Sequence, residues 1–406
     1  MSRFTKHFRM NELDAIEYIR EKLPDYFGDA ELESKEISDG NINYVFRVKE
    51  KNGSKTIIVK HADAFIRTSG NPKSTDRNRI EVAALEMERK VAPYQVPEVY
   101  LYDPVMCCIV MQDVGDHKNL RYALIDHEMF STLAEDLAEF LANTLIRTTD
   151  LIMPTAERNK LAGHSVNTEM CEITERLVYD EPYTNARGSN VVFEPNAEFV
   201  QRNIYENTAL HVEAAKLKTL FQTKSQSLIH GDLHSGSVFV KEGSTMVLDP
   251  EFSFYGPAGY DVGNVIAHFL FAWANAEVTM EEGAQKEQFK DWVEQCICHV
   301  TDAFYSKAVN ILKAECKDSL YSAEGFAEWY VNDILCDTAG SVGLELIRRV
   351  VGDAKVKDIA GIGNEEKRTR AERICLRTAE KCIMHKGLFL TGSAYVAEIR
   401  KAACEN

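Results

Sequence analysis

The sequence predicts an α+β fold in two lobes: a small β-rich N-terminal lobe over residues 1–114 and a larger, mainly helical C-terminal lobe over residues 115–406. Three observations lead to this prediction. The chain has 406 residues, which is more than one small hydrophobic core usually serves. Its first part shows the order strand, strand, helix, strand, strand, and the remainder is mostly helical. One short hairpin, between Leu228 and Leu248, interrupts the helical part.

The N-terminal lobe is expected to begin with a helix. Asn11 is a good N-cap residue, and Asp14, three positions later, can complete a capping box. Apolar residues then recur at helical spacing, and Pro24 ends the pattern. The apolar positions are Leu13, Ile16, Ile19 and Leu23.

Two hairpins and one helix complete the predicted lobe. The stretch "NYVFRVKEKNGSKTIIVK" reads as two strands that turn at Asn52-Gly53, a strong hairpin signal. A helix follows from about Asp76 to Lys90. The stretch "PEVYLYDPVMCCIVMQDVG" then reads as a second hairpin, which turns near Asp103-Pro104.

The hairpin inside the helical lobe carries the most unusual residues. Two short apolar runs flank "KEGS", and the segment before them, "LIHGDLHSGS", holds an acid, two histidines and two glycines. After the hairpin, Asp261 precedes the almost wholly apolar run "VGNVIAHFLFAWA". We expect that run to be a helix with Asp261 as its N-cap and with Trp273 in the core.

Composition excludes several classes of protein. The net charge of -16 disfavours nucleic acid or an anionic membrane surface as the main partner. The ten cysteines lack the paired spacing of a metal knuckle or a secreted disulfide framework, so we expect reduced thiols. There is no apolar signal core and no apolar run of membrane-spanning length, so a cytoplasmic location is expected.

Three carboxylates bracket the predicted hairpin. Asp249 and Glu251 follow its second strand, and residues at i and i+2 of an extended segment project to the same side. Together with Asp232 they would suit Mg²⁺, which prefers oxygen ligands and commonly shares them with phosphate groups. The alternative is that each acid caps a turn or a helix. The concentration of three acids favours a metal-assisted phosphoryl-transfer site.

Gly231 fits a cramped loop, and we expect His230 to be structural.

The combined motifs resemble the small-molecule phosphotransferases with a protein-kinase-like fold. The residues that carry the resemblance are "HGDLH", "DPEF" and "YGPAGYDVG". Within that family the chain is most similar to the methylthioribose kinases, through "SDGNINYVF", "CEITERLVYDEPY", "ELIRRVVG" and Ser237, where relatives usually carry asparagine. The resemblance covers nearly the whole chain. It implies ATP and Mg²⁺ as cofactors and a homodimer.

The resemblance also implies roles for single residues. Asp232 would be the catalytic base, which orients the attacking hydroxyl and accepts its proton. Asp249 would hold Mg²⁺, and Glu251 would be a second metal ligand that compensates for Ser237. The nucleotide would be held by Lys60 with its partner Glu81, by Asn43, by backbone groups of the hinge and by the turn after the hairpin. The remaining residues of this set are Gln112, Asp113, Val114 and Pro250.

Arg348 and Arg349 are the predicted substrate-binding residues, together with Asp232. They stand in the apolar segment "VGLELIRRVVG", where charges are costly without partners. Adjacent residues on a helix point about 100° apart, so both can reach one ligand only near a helix end, which Gly352 permits. The alternative is that one arginine serves the site and the other pairs with a structural carboxylate.

One segment departs from the family pattern. Relatives often carry a tryptophan in the lid loop between the phosphate-binding lysine and the following helix. This chain has "ADAFIRTSGNPKSTDR" there, with no tryptophan, although Pro72, Asp76 and Arg77 are compatible with the pattern. The way in which this lid closes is therefore left open.

The expected activity is the ATP-dependent phosphorylation of the anomeric 1-hydroxyl of 5-methylthioribose in methionine salvage. A second reading is a kinase of the same fold for another small alcohol, of the aminoglycoside, choline or homoserine type. The arginine pair disfavours a polycationic acceptor. A third reading, a nucleotide-binding protein without catalysis, would predict the loss of Lys60, Asp232 or Asp249, and the chain keeps all three.

Overall fold

The N-terminal part of the computed structural model is an antiparallel sheet flanked by helices. The structure describes residues 2–37, 43–63 and 75–405. The sheet has five strands in the order β1-β2-β3-β5-β4. Its strands are β1 (Leu32–Glu36), β2 (Tyr44–Glu50), β3 (Thr56–His61), β4 (Val99–Asp103) and β5 (Cys108–Gln112). The helices of this part are α1 (Glu12–Lys22), α2 (Pro24–Phe27) and α3 (Arg77–Val91).

The C-terminal part is mainly helical. Its helices are α4 (Leu120–Ile125), α5 (Leu133–Arg147), α6 (Thr155–His164), α7 (Thr168–Thr174), α8 (Glu181–Thr184), α9 (Ala197–Val200), α10 (Thr208–Thr223), α11 (Gly259–Thr279), α12 (Ala284–Glu315), α13 (Phe326–Val351), α14 (Lys357–Ala360), α15 (Glu365–Met384) and α16 (Gly392–Cys404). The short strands are β6 (Lys118–Asn119), β7 (Ser227–Ile229), β8 (Val238–Lys241), β9 (Ser244–Val247) and β10 (Phe254–Gly256). This architecture confirms the predicted α+β fold with a small sheet part and a larger helical part.

The predicted N-terminal helix and both hairpins are present. Asn11 caps α1 through a complete capping box with Asp14, as its sequence indicates. Leu13, one of the apolar residues that indicate the helix, is 72% exposed and does not belong to the buried face. The helix instead buries the face that carries Ala15, Tyr18 and Ile19.

Strand β1 is not predicted by the pattern of its sequence. It is an edge strand, paired only with β2 in the five-stranded sheet, and Leu32 is its one fully buried side chain. Because its other side chains face solvent at least in part, the segment lacks the apolar alternation that marks a strand.

The two faces of the sheet contribute to different hydrophobic clusters. Phe46 and Val59 pack in a small cluster with α1. Ile58 and Ile109 belong to a large cluster that continues through α3 into the helical part. The large cluster thus includes residues on both sides of position 114, and the division of the chain into lobes at that position stays a prediction.

The helical part is built on two buried helices, α11 and α13. Nineteen of the 21 residues of α11 are buried, including Trp273, as the apolar sequence predicts. Glycines allow close packing, since a Cβ added at Gly263 would lie 2.8 Å from the Thr338 carbonyl oxygen on α13.

Within the described residues, no helix is both long and apolar enough to cross a membrane. All ten cysteines are free thiols.

Candidate active site

A left-handed glycine turn shapes the loop that carries Asp232, here called the Asp232 loop (residues 230–237). The loop follows β7 and leads into β8. Gly231 has φ +83°, and a Cβ at this position would lie 2.3 Å from the Phe252 carbonyl oxygen. Only glycine fits both the left-handed backbone and the close approach.

Asp261 holds this loop from below. Its carboxylate accepts hydrogen bonds from the backbone N–H groups of His230 at 2.6 Å and Gly231 at 3.0 Å. The prediction that Asp261 is the N-cap of the apolar helix is wrong, because α11 already begins at Gly259. Burial raises the pKa of Asp261, although the two N–H groups oppose this rise. The two hydrogen bonds make Asp261 a structural brace for the Asp232 loop.

His230 joins the Asp232 loop to the segment after β9. Its Nε2 lies 2.8 Å from the Leu248 carbonyl oxygen, and the residue is 1% exposed. This contact supports the predicted structural role of His230. The hydroxyl group of Ser237 donates to the Asp232 carbonyl oxygen at 3.2 Å, so Ser237 also stabilises the loop.

Asp232 faces both of the predicted arginines. Its Oδ1 lies 3.2 Å from Arg348 Nη2 and 3.6 Å from Arg349 Nη2, and its Oδ2 lies 3.4 Å from His234 Nε2. Burial raises the pKa of Asp232, but His234 and the two guanidinium groups outweigh burial and lower it to about 2. The carboxylate is therefore ionised at neutral pH.

Glu345 is the residue that brings the two arginines together, and the sequence analysis missed it. Arg349 Nε donates to Glu345 Oε1 at 2.8 Å, and Arg348 Nε donates to the other carboxylate oxygen. Glu345 lies one helical turn before them, at i−4 and i−3, and is 1% exposed. An acid at this spacing inside an apolar helix was the available signal.

The two open alternatives for the arginines are thereby combined. Both side chains contact Asp232, and both also pair with the buried carboxylate of Glu345. Helix α13 ends at Val351, within one turn of the pair, as the helix-end argument requires.

His268 connects Glu345 back to the Asp232 loop. Its Nε2 lies 3.2 Å from Glu345 Oε1, and its Nδ1 lies 2.9 Å from Ser235 Oγ. Burial lowers the pKa of His268 to about 4, so the ring is neutral at pH 7. A neutral ring with this environment donates from Nε2 to the carboxylate and accepts at Nδ1 from the hydroxyl group.

Lys60 forms the second charged centre of the site. Its Nζ lies 2.6 Å from Glu81 Oε1 on α3 and 2.6 Å from Asp249 Oδ1 after β9. The predicted Lys60–Glu81 ion pair is thus present in the geometry. Burial lowers the pKa of Lys60, but Asp249 and Glu81 outweigh it, so the net shift is upward. Asp249 has its pKa lowered because Lys60 outweighs burial.

The turn after β9 presents two carboxylates toward this centre. Asp249 has φ +65°, an uncommon conformation for a residue other than glycine. The Pro250 carbonyl oxygen accepts from the Ser253 N–H at 3.1 Å and closes the turn. Glu251 Oε2 is buried and has no hydrogen-bond partner within the described residues, and Arg77 Nε is 3.8 Å away. A buried acceptor of this kind beside a second carboxylate fits a hard cation such as Mg²⁺.

Asn43 lies beside the same centre. Its side-chain oxygen accepts from Arg77 Nη2 at 2.8 Å and from Arg77 Nε at 3.2 Å, and Asn43 is 4% exposed. The structure therefore joins Asn43 to the beginning of α3. The rest of the predicted phosphate loop (38–42) and most of the lid (64–74, with Pro72) lie outside the described residues.

The predicted hinge residues follow β5. The Gln112 N–H donates to the Glu98 carbonyl oxygen at 2.8 Å, and the Val114 carbonyl oxygen accepts from the His117 N–H at 2.9 Å. The Asp113 carboxylate accepts from Arg47 Nε at 2.6 Å. The Asp113 side chain thus stabilises this segment, and any nucleotide contact of the segment is left to backbone groups.

The comparison with known proteins agrees with this arrangement. The model of the phosphotransferase enzyme family matches residues 33–294. A methylthioribose kinase of Geobacillus sp. (strain WCH70) is 34% identical over 357 residues, which cover 87% of this chain and 86% of that protein. A methylthioribose kinase of Pectobacterium atrosepticum is 30% identical over 400 residues, which cover 96% and 97%.

Among solved structures, an ethanolamine kinase of Plasmodium vivax aligns with a TM-score of 0.45 at 13% identity, over 98% of this chain and 90% of that chain. The sequence relationships extend over most of each chain, and the range matched by the family model contains the Asp232 loop and the turn after β9. The chain belongs to the phosphotransferase enzyme family and, within it, to the methylthioribose kinases.

Proposed function

We propose that this protein transfers the γ-phosphate of ATP to the anomeric 1-hydroxyl of 5-methylthioribose, giving 5-methylthioribose 1-phosphate in methionine salvage. The observation that carries the proposal is the position of Asp232. It is an ionised, largely buried carboxylate that faces two guanidinium groups, Arg348 and Arg349. A hydroxyl group and a phosphate can both be bound in such a setting.

On the nucleotide side, Lys60 would bind the phosphates of ATP. Its present partner Asp249 would then turn to Mg²⁺, with Glu251 as the second protein ligand. The metal would neutralise charge on the phosphates when bound. Asn43, Glu81, Pro250 and the backbone of Gln112, Asp113 and Val114 would complete the ATP site, as the family resemblance implies.

On the acceptor side, Asp232 would orient the sugar hydroxyl and accept its proton. A carboxylate with a pKa of about 2 is a weak base. Phosphoryl transfer depends more on positioning than on basicity, because its transition state is loose. Arg348 and Arg349 would bind the sugar oxygens and stabilise the charge that develops on the transferred group.

The charge of the site favours a neutral or anionic acceptor. Two arginines at the proposed acceptor position would repel a polycation such as an aminoglycoside. Another small alcohol is the second candidate.

An ADP-release assay over a panel of sugars and amino alcohols tests the proposal. We expect selective turnover of 5-methylthioribose, lost in Asp232→Ala. Turnover of only another alcohol would overturn the acceptor assignment, while the kinase assignment would stand.

A titration with Mg²⁺ tests the metal ligands. We expect Glu251→Gln to require a higher Mg²⁺ concentration for half-maximal activity, because one carboxylate ligand becomes a neutral amide. An unchanged Mg²⁺ dependence would remove Glu251 from the proposed metal site.

The family resemblance also leads us to propose a cytoplasmic homodimer, which sedimentation equilibrium and fractionation would test.

A further inference from the structure

A third arginine, Arg121, lies against the Asp232 loop, and neither the proposed mechanism nor the family motifs use it. Arg121 stands in the first turn of α4, next to strand β6. Asn119 fixes this position, because its side-chain nitrogen donates to the Gly236 carbonyl oxygen at 2.7 Å and its side-chain oxygen accepts from the Arg121 N–H at 3.1 Å. The start of α4 is thereby attached to the Asp232 loop.

The guanidinium group of Arg121 packs directly on that loop. A Cβ added at Gly236 would lie 2.4 Å from Arg121 Nη2 and 2.8 Å from His234 Cε1. Glycine at position 236 thus leaves the space that the guanidinium group occupies. The imidazole of His234, which borders Gly236 together with Arg121, also lies 3.4 Å from Asp232 Oδ2 through its Nε2. Arg121 is therefore close to the proposed acceptor site.

Arg121 is not committed to a carboxylate. Within the described residues, no carboxylate oxygen lies within 4.0 Å of its guanidinium group, and its Nε is buried without a hydrogen-bond partner. Arg348 and Arg349 differ in this respect, since both pair with Glu345. Arg121 therefore retains donors for a ligand.

Its surroundings carry charges of both signs. Burial and Arg349 lower the pKa of Arg121, and Asp358 and Asp232 oppose this effect. Asp358 is 1% exposed, and neither of its carboxylate oxygens has a hydrogen-bond partner in the described part of the chain. The arginine and this carboxylate are thus electrostatic neighbours that do not form a direct ion pair.

We propose that Arg121 is a third arginine of the acceptor site and that it binds the phosphate group on the product side of the reaction. The inference rests on the proposed function. In the reaction, the bond from the γ-phosphorus to the ADP oxygen breaks, a bond to the sugar oxygen forms, and the hydroxyl proton moves to Asp232. The new phosphate ester is an anion beside a carboxyl group. A guanidinium group without a carboxylate partner therefore stabilises the bound phosphate ester more than it stabilises the bound neutral sugar.

The test compares the binding of a sugar and its phosphate ester to the same variants. Calorimetry in the presence of ADP and Mg²⁺ measures the affinity of the full chain for 5-methylthioribose and for 5-methylthioribose 1-phosphate. We expect Arg121→Gln to weaken phosphate-ester binding about tenfold or more, the loss typical of a charge-assisted hydrogen bond, and to change sugar binding less than twofold. Arg121→Lys keeps the charge, so its affinity for the phosphate ester should lie between those of the wild type and Arg121→Gln.

A matched control removes an arginine elsewhere. Arg147 on α5 pairs with Glu315 at 2.7 Å, away from the Asp232 loop, and Arg147→Gln should leave both affinities unchanged. Equal losses of sugar and ester affinity in Arg121→Gln, or no loss of either, would overturn the inference. Thermal melting identifies a variant that fails to fold, and Arg121→Lys then provides the comparison.

Failure of the proposed function gives a different result. In that case the wild-type protein does not turn over 5-methylthioribose, and the same comparison is made with inorganic phosphate as the probe. Weaker binding of inorganic phosphate by Arg121→Gln than by wild type supports the role of Arg121 whatever the acceptor is. Equal binding contradicts it.

Discussion

Lys60 Nζ lies 2.6 Å from Asp249 Oδ1, although 189 positions separate the two residues in the chain. One residue belongs to the sheet and the other follows the hairpin of the helical part. The contact therefore brings the proposed phosphate-binding lysine to the proposed metal ligand. A nucleotide that binds Lys60 through its phosphates would share or replace this contact.

Removal of the Lys60 charge should reduce stability as well as ATP binding. Glu81 is fully buried, and Lys60→Met leaves its carboxylate without a counterion. Loss of one partner of a buried pair typically costs about 3–5 kcal/mol. Urea denaturation should show this loss, and the double variant Lys60→Met/Glu81→Gln should recover much of the stability without recovering ATP affinity. Equal stability of the single and double variants would contradict the pairing.

Neutralisation of Glu345 should weaken acceptor binding selectively. Glu345→Gln removes the charge that holds Arg348 and Arg349 beside Asp232, so we expect a higher KM for the acceptor, an unchanged KM for ATP and a stability loss of about 3 kcal/mol.

Glu372 is a matched control for this change. It is also a buried glutamate, 2% exposed, and it pairs with Arg368 at 3.0 Å outside the site. Glu372→Gln should lose stability without a change in either KM. If the two variants had the same kinetic effects, Glu345 would have no special role at the acceptor site.

The glycine of the Asp232 loop should tolerate no side chain. Gly231→Ala meets both a positive φ and the Phe252 carbonyl oxygen, whereas Gly243→Ala meets only a positive φ of +77° with open space around it. We expect Gly243→Ala to cost about 1–2 kcal/mol and to stay active. Gly231→Ala should cost more and should lower kcat, as measured by denaturation and the ADP-release assay. Similar costs for the two variants would show that the loop accommodates a Cβ.

Asp358 should make stability fall as pH rises in the mildly acidic range. Burial raises the pKa of Asp358 from 3.8 to about 6. The folded state therefore binds the proton more tightly than the unfolded state. Below about pH 4 the carboxyl group is protonated in both states and the free energy of unfolding does not depend on its titration. As pH rises from about 4 to 6, this group lowers the free energy of unfolding. The total contribution is on the order of 3 kcal/mol.

Urea denaturation at a series of pH values between 4 and 7 measures this effect. Asp358→Asn should remove the loss of stability that the titration of Asp358 causes. The free energy of unfolding of this variant, relative to that of the wild type, should therefore increase as pH rises. Asp353→Asn, which alters an exposed carboxylate in the same segment, should run parallel to wild type. Parallel curves for wild type and Asp358→Asn would contradict the raised pKa.

Much of the fold follows from local patterns. The capping box of α1, the turn at Asn52-Gly53 and the apolar run of α11 each involve neighbours a few residues apart, so the sequence predicts them. Strand β1 and the exposure of Leu13 could not be predicted in this way. Both depend on which face another element covers, and that element is distant in the chain.

Local sequence accounts for the chemical groups of the site and the tight turns that present them: the acids around the hairpin, the glycine at position 231 and the adjacent arginines. The partners of these groups depend on how distant elements pack. Asp261 proved to be a brace of the Asp232 loop rather than a helix cap, and Glu345 proved to hold Arg348 and Arg349 against Asp232, a contact that spans 116 positions. Caps and turns are satisfied within a few residues, whereas a buried charge is satisfied by whichever opposite charge the packing of distant helices brings within reach.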